Sequence, residues 1–176
     1  MRAFLFIAAF VAANVSANAA AQSRDALDCV SRSANDELKA EYVKSVYENQ
    51  PFAVEKRQKI DTLIGSCADL YEISKEKREL YFKYSINLLI YLGVRGMVED
   101  EWLSPELVDK FFDLGPGRTN PDFSKGVSKQ QANAMLLEMD KTGKLSGVIS
   151  DSSLNLLVDY AIVSSLYWKA HDRLVR

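Results

Sequence analysis

The chain has 176 residues, with 22 Lys and Arg against 24 Asp and Glu and a single His, for a formal charge of −2. With 48% hydrophobic and 26% charged residues it can bury a core, which excludes a disordered tail, and 8 Gly and 4 Pro exclude a collagenous or low-complexity chain. The slight acidity argues against nucleic-acid binding through a broad basic face, and one imidazole excludes a His-rich metal centre.

Residues 1–21 read MRAFLFIAAFVAANVSANAAA. A cationic start at Arg2, an apolar run from Ala3 to Val15 and small residues from Ser16 to Ala21 have the order of a secretory signal peptide. Both Ala17-Asn18-Ala19 and Ala19-Ala20-Ala21 satisfy the small-x-small rule of signal peptidase, so the mature chain is expected to begin at Ala20 or Gln22. An uncleaved anchor is disfavoured, because Asn14 and Asn18 interrupt a short run and no basic stop-transfer segment follows. The expectation is an exported protein, periplasmic or extracellular, with one helical domain over 22–176. Removing Arg2 leaves 21 basic against 24 acidic side chains, a mature charge of −3. No later apolar stretch reaches about 18 residues, so the mature chain is not expected to be embedded in a membrane.

Two cysteines, Cys29 and Cys67, fit an oxidising compartment, where an even count pairs. Their separation of 38 residues is far from the spacing of a C-x-x-C redox pair, so the expected bridge is structural.

The remaining chain reads as a series of helices. Leu27, Val30, Ala34, Leu38, Tyr42 and Val46 step by three and four, which predicts one long helix from Ser23 to Asn49, with a possible break where Ser33 precedes Asp36. Pro51 opens the next, whose stripe is Ile60, Leu63, Ile64, Cys67, Ala68 and Tyr71. Ser74 is placed to cap a third helix, with Leu80, Tyr81 and Tyr84 on its stripe. From Ile86 to Val94 that helix is apolar nearly all round, which predicts burial on every side, with Gly93 and Gly96 loosening its end. The acidic run Glu99, Asp100 and Glu101 precedes Trp102. Ser104-Pro105-Glu106 starts a helix carrying Leu107, Val108, Phe111, Phe112 and Leu114, with Gly115-Pro116-Gly117 as its expected stop. A loop from Arg118 to Gly126 follows. Ser128 caps a helix through Ala132, Met135, Leu136 and Met139, ending at Gly143. The last helix runs from Asp151 to about His171, almost continuously apolar from Leu154 to Tyr167, with Asp159 interrupting it. Strand signals are weak throughout. The predicted fold is all-α: a single compact bundle of five to six helices around two long buried ones.

Catalytic and metal motifs are absent: no G-x-S-x-G, no phosphate-cradling glycine loop and no C-x-x-C-H. His171 reads as a cation at a helix C-terminus, with Asp172 expected to point elsewhere on the helix. The stretch Glu138–Ser146 resembles half of an EF-hand loop, but Glu138 stands where Asp is needed and Ile149 where the closing Glu belongs. No catalytic residue, metal or cofactor is expected.

The candidate binding surface consists of Glu99, Asp100, Glu101, Trp102, Phe111, Phe112 and Arg118, aromatic residues rimmed by charge. Consecutive Phe residues diverge on a helix, so one is exposed unless a neighbouring helix covers it. The expected function is an exported, non-catalytic helical domain that binds another protein or an envelope component, in an inhibitor, immunity-type or adaptor role. The alternative is a small envelope hydrolase acting on carbohydrate or peptide through carboxylates, which requires two acids in a cleft with at least one buried.

Overall fold

A computed structural model of the chain describes residues 24–47, 51–142 and 149–175. The expected signal segment 1–21 and residues 143–148 of the calcium-like stretch lie outside them. Among the described residues every regular element is a helix: α1 over 24–33, α2 Asp36–Tyr47, α3 Val54–Leu70, α4 Lys75–Asp100, α5 Pro105–Phe111, α6 Lys129–Lys141 and α7 Asp151–Val175. No described helix is long and apolar enough to cross a membrane.

The expected break in the first helix occurs at Ala34 and Asn35. Its capping oxygen comes from Asn35, whose Oδ1 accepts from Leu38 N at 2.8 Å. Cys29 on α1 and Cys67 on α3 are joined by a disulfide, S–S 2.03 Å with Cα atoms 6.0 Å apart. Beside the bridge, α3 buries Ile60, Ile64, Cys67 and Ala68, the i, i+4, i+7, i+8 stripe of an amphipathic helix.

The two long apolar helices form the centre. α4 and α7 make the most extensive contact in the molecule. They run antiparallel, because Tyr84 meets His171 and Tyr167 while Tyr91 and Arg95 meet Tyr160. Tyr81, Tyr84, Leu89, Val94 and Val98 from α4 and Leu157, Tyr160 and Ala161 from α7 are fully buried. The α1–α2 arm climbs α4 in α4's own direction. Tyr81 donates to Ala26 O (2.8 Å) at the bottom, and Val43 sits on Gly93 higher up. Lys77 donates to Leu174 O at 3.2 Å, closing the end of α7.

α4 differs from the expectation in two ways. It is not buried on every side, since Leu92 is 40% exposed. Nor do its glycines loosen its end, for the helix continues to Asp100. Gly93 is instead a packing position: a Cβ there would lie 2.3 to 2.9 Å from Val43 Cγ2, Cγ1 and Cβ. Val43 is buried, and its Cβ, which no rotamer change moves, is itself 2.9 Å from the added carbon. Gly93→Ala should therefore lose about 1–3 kcal/mol to overlap, more than the roughly 1 kcal/mol regained in helix propensity. Gly96→Ala, with nothing within 4 Å of its Cβ, should gain about 1 kcal/mol. Urea unfolding of the two variants tests this pair, and equal effects at both glycines would refute the packing role of Gly93.

Three helices end in the same way. α3, α4 and α5 each close with a residue at positive φ whose successor donates back into the last turn: Glu72 (φ 52), Trp102 (φ 58) and Asp113 (φ 53). The closing bonds are Ile73 N to Ala68 O at 2.8 Å, Leu103 N to Val98 O at 3.1 Å and Leu114 N to Asp109 O at 2.8 Å. This is the Schellman arrangement, in which the left-handed position is usually Gly. α5 thus stops at Phe111, before the Gly115-Pro116-Gly117 stop expected from sequence. Ser128 forms a full capping box with Gln131 at the start of α6, whereas Ser74 occupies the N-cap position of α4 without a capping hydrogen bond from its side chain.

Candidate functional site

The seven residues of the predicted surface fall into two groups. Glu99, Asp100, Glu101 and Trp102 form the C-terminal tip of α4. Trp102 is 93% exposed, and among the described residues its ring stacks on no other. α4 has no basic residue in its last turn, so its acids sit at the negative end of a 26-residue helix, where charge of that sign is disfavoured. Glu99 is compensated by Arg95 at 3.0 Å. Among the described residues Asp100 and Glu101 pair with no cation. Phe111, Phe112 and Arg118 lie elsewhere. Phe112 is buried between Phe111 and Phe123, with ring centroids 4.8 and 5.0 Å away. Phe111 is half-buried with Leu107 against Met139 of α6. Arg118 donates to Asp109 O at 3.0 Å, a basic side chain capping a helix end.

Sequence reasoning missed a polar cluster between α4, α5 and α7. Arg95 is its hub, with Nε on Glu99, Nη2 on Glu106 and Nη1 3.4 Å from Tyr160 Oη, 3.5 Å from Tyr91 Oη and 3.9 Å from Asp109 Oδ2. Asp109 accepts from Tyr160 Oη at 2.9 Å through Oδ2 and from Ser164 Oγ at 3.1 Å through Oδ1. Burial pushes the Asp109 carboxyl above its ordinary range, against the pull of those two hydrogen bonds and of Arg95. Glu106, more exposed and bonded to its own backbone N–H, Arg95 and Ser104, is held low. Burial, and then the Asp109 charge, raise the Tyr160 phenol. The available signal was Arg95 itself, a charge ending an apolar run on a helix predicted to be buried.

This arrangement fixes a pH dependence. Because native Asp109 is raised, the folded chain binds its proton more tightly than the unfolded chain. That stability is fully present below the unfolded value of 3.8 and is lost as the pH climbs through the raised native value. Asp109→Asn removes the titration while keeping an acceptor for one hydroxyl. It should change stability at pH 7 by less than about 1 kcal/mol and flatten the fall just above pH 4. Superimposable urea-unfolding stabilities of variant and parent across pH 4 to 7 would refute the shift.

His171 is half-buried rather than exposed. Its ring lies 5.3 to 6.2 Å from those of Trp168, Tyr84 and Tyr167, part of an aromatic layer that extends to Tyr91 and Tyr160. Asp172 does not point away either: its Oδ1 is 3.4 Å from His171 Nδ1 and its Oδ2 accepts from Asn120 Nδ2 at 3.3 Å. Among the described residues no group of three or more His, Cys, Asp or Glu could hold a metal ion.

A groove of about 630 Å³ lies between α2 and α4. Val43, Leu89, Leu92, Gly93, Gly96 and Met97 give it an apolar lining, and Asp36, Lys39, Lys44, Tyr47 and Asp100 also border it. Two depressions of about 200 Å³ lie beside Phe111 and beside Asp159, and an open polar one runs along α3. Asp109 lines none of the four.

The described residues thus form an all-helical, disulfide-bonded structure with an apolar groove between α2 and α4. Comparison of the chain with protein-family models, with curated proteins and with solved structures finds no match.

Proposed function

We propose that the chain is an exported, non-catalytic helical protein that acts by binding another protein or an envelope component. Trp102 carries this reading. It is 93% exposed at a backbone position that favours Gly, no described ring packs on it, and Trp is among the residues enriched at interface hot spots. The buried bridge between Cys29 and Cys67 supports export, because such pairs form and persist in oxidising compartments. N-terminal sequencing of native protein is expected to start at Ala20 or Gln22, and an intact Met1 would overturn export.

Trp102→Gly separates function from stability. Relief of the left-handed backbone should stabilise the fold by about 1 kcal/mol. The same change should abolish retention of the partner from an envelope extract on immobilised mature protein. Retention equal to that of the parent would refute the assignment of Trp102.

One observation favours the hydrolase alternative: Asp109 is a buried acid held high, beside the low Glu106 on the same helix. Both Asp109 oxygens are occupied by the protein's own hydroxyls, so the binding reading stands ahead. Hydrolysis of carbohydrate or peptide by the parent, lost in Asp109→Asn, would reverse that order.

A further inference from the structure

Three features of α4's second half lower the stability of the chain taken alone. Gly96 weakens the helix interior, yet among the described residues no atom lies within 4 Å of where its Cβ would be. Asp100 and Glu101 add negative charge to the negative end of the helix. Trp102 occupies a glycine position. All three lie at one place. The α2–α4 groove passes over Gly93 and Gly96 to Asp100, and Trp102 follows two residues later. Departures from folding rules that converge on one surface mark a surface shaped for something else.

We infer that the α2–α4 groove and Trp102 form one docking surface for an amphipathic helix of a partner protein, apolar on the inserted face and flanked by lysine or arginine. This rests on the protein-binding reading above and specifies its partner.

The groove runs the length of α2, twelve residues or roughly 16 Å, which matches three turns of a helix. It is open along one side, since Leu92 and Tyr47 on its walls are each 40% exposed. A small molecule needs most of its surface enclosed, whereas a helix needs an apolar trough on one face only. Gly96 lets the backbone of a second helix approach α4 closely. The flank chemistry follows from charge. Lys39, which pairs with Asp36 at 2.9 Å, and Lys44 lie on the α2 side of the groove, whereas the α4 end beside Trp102 carries Asp100 and Glu101 with no basic residue in the last turn of that helix. A cationic side chain there gains both carboxylates, the helix terminus and the indole face.

The test uses two model helices of about 14 residues with the same leucine stripe, one flanked by lysines and one by glutamates. They are titrated into mature protein at physiological salt, with the emission of exposed Trp102 as the readout. The lysine peptide is expected to saturate at one per chain and to bind at least about tenfold tighter than the glutamate peptide. Gly96→Leu, whose Cβ meets no described atom within 4 Å and whose side chain enters the groove, should weaken it by about tenfold or more at an unchanged or raised Tm. Asp100→Lys/Glu101→Lys should reverse the preference between peptides. Binding that ignores Gly96→Leu overturns the groove, as does displacement of the lysine peptide by a small apolar dye bound one per chain. If either occurs while Trp102→Gly still loses the native partner, the protein-binding reading survives without the groove. Partner retention by Trp102→Gly overturns both.

Discussion

Cys29→Ala/Cys67→Ala is expected to lose about 4 kcal/mol of unfolding free energy in the chain-entropy model. The bridge closes 38 residues of chain, and its removal returns that loop's freedom to the unfolded state. The native state loses as well. Both cysteines are buried, so alanine leaves unfilled space at the junction of α1 and α3. Few other contacts hold this corner. α3 meets α4 through far fewer contacts than α7 does. Equilibrium urea unfolding of the variant, and of the parent under reductant, should show the same lowered midpoint. A loss below about 1 kcal/mol would mean that packing alone holds the α1–α3 corner.

The fold was legible where a residue does one conventional job. The stripes of α3 and α6, Pro105 at the start of α5 and the capping box at Ser128 all follow from spacing and local chemistry. The helix ends were less legible. Three of them use Glu72, Trp102 and Asp113 where the sequence rule looks for Gly, while the glycines at 115 and 117 serve the loop beyond α5. Gly93 resembled a loosening residue because nothing in the sequence indicates that Val43, fifty positions earlier, would rest on it.

The candidate surface divided for a related reason. Phe111 and Phe112 resemble Trp102 in composition, but exposure depends on neighbours. Phe123 and α6 come back over the phenylalanines, while nothing described returns over Trp102. The Arg95–Asp109–Tyr160 cluster was not legible, because its members come from three helices and only the packing of α5 across α4 and α7 joins them. His171 was misread for the same cause, since its cage comes from both α4 and α7.

Asn120→Asp, a change of one atom in shape, is expected to destabilise the fold by about 3–5 kcal/mol at neutral pH. Asn120 is 5% exposed and sits at φ 48, a left-handed position that Asn and Asp both tolerate, so the backbone is not perturbed. The effect lies in the amide. Oδ1 accepts from Gly115 N at 2.8 Å, while Nδ2 donates to Gly115 O at 3.0 Å, Arg118 O at 3.3 Å and Asp172 Oδ2 at 3.3 Å. Aspartate keeps the first bond and replaces two N–H donors, shared among three acceptors, with a buried negative charge facing two carbonyls and a carboxylate. The loop is fixed to α7 next door by Ser165, which donates to Pro121 O and accepts from Phe123 N at 3.1 Å. It therefore cannot swing outward to hydrate the charge without also releasing Phe123 from the core. Protonation restores one donor, so the introduced carboxyl should titrate above the ordinary range. The deficit should then be smallest below the unfolded value and grow as the pH rises through the raised native one. Asn120→Ala, which strands the same groups without adding charge, should lose about 1–3 kcal/mol and show no such pH dependence. Urea unfolding of both variants at pH 4 and pH 7 separates the two contributions. An Asn120→Asp deficit that is the same at both pH values, or no larger than that of Asn120→Ala, would show that the loop opens to solvent at this position.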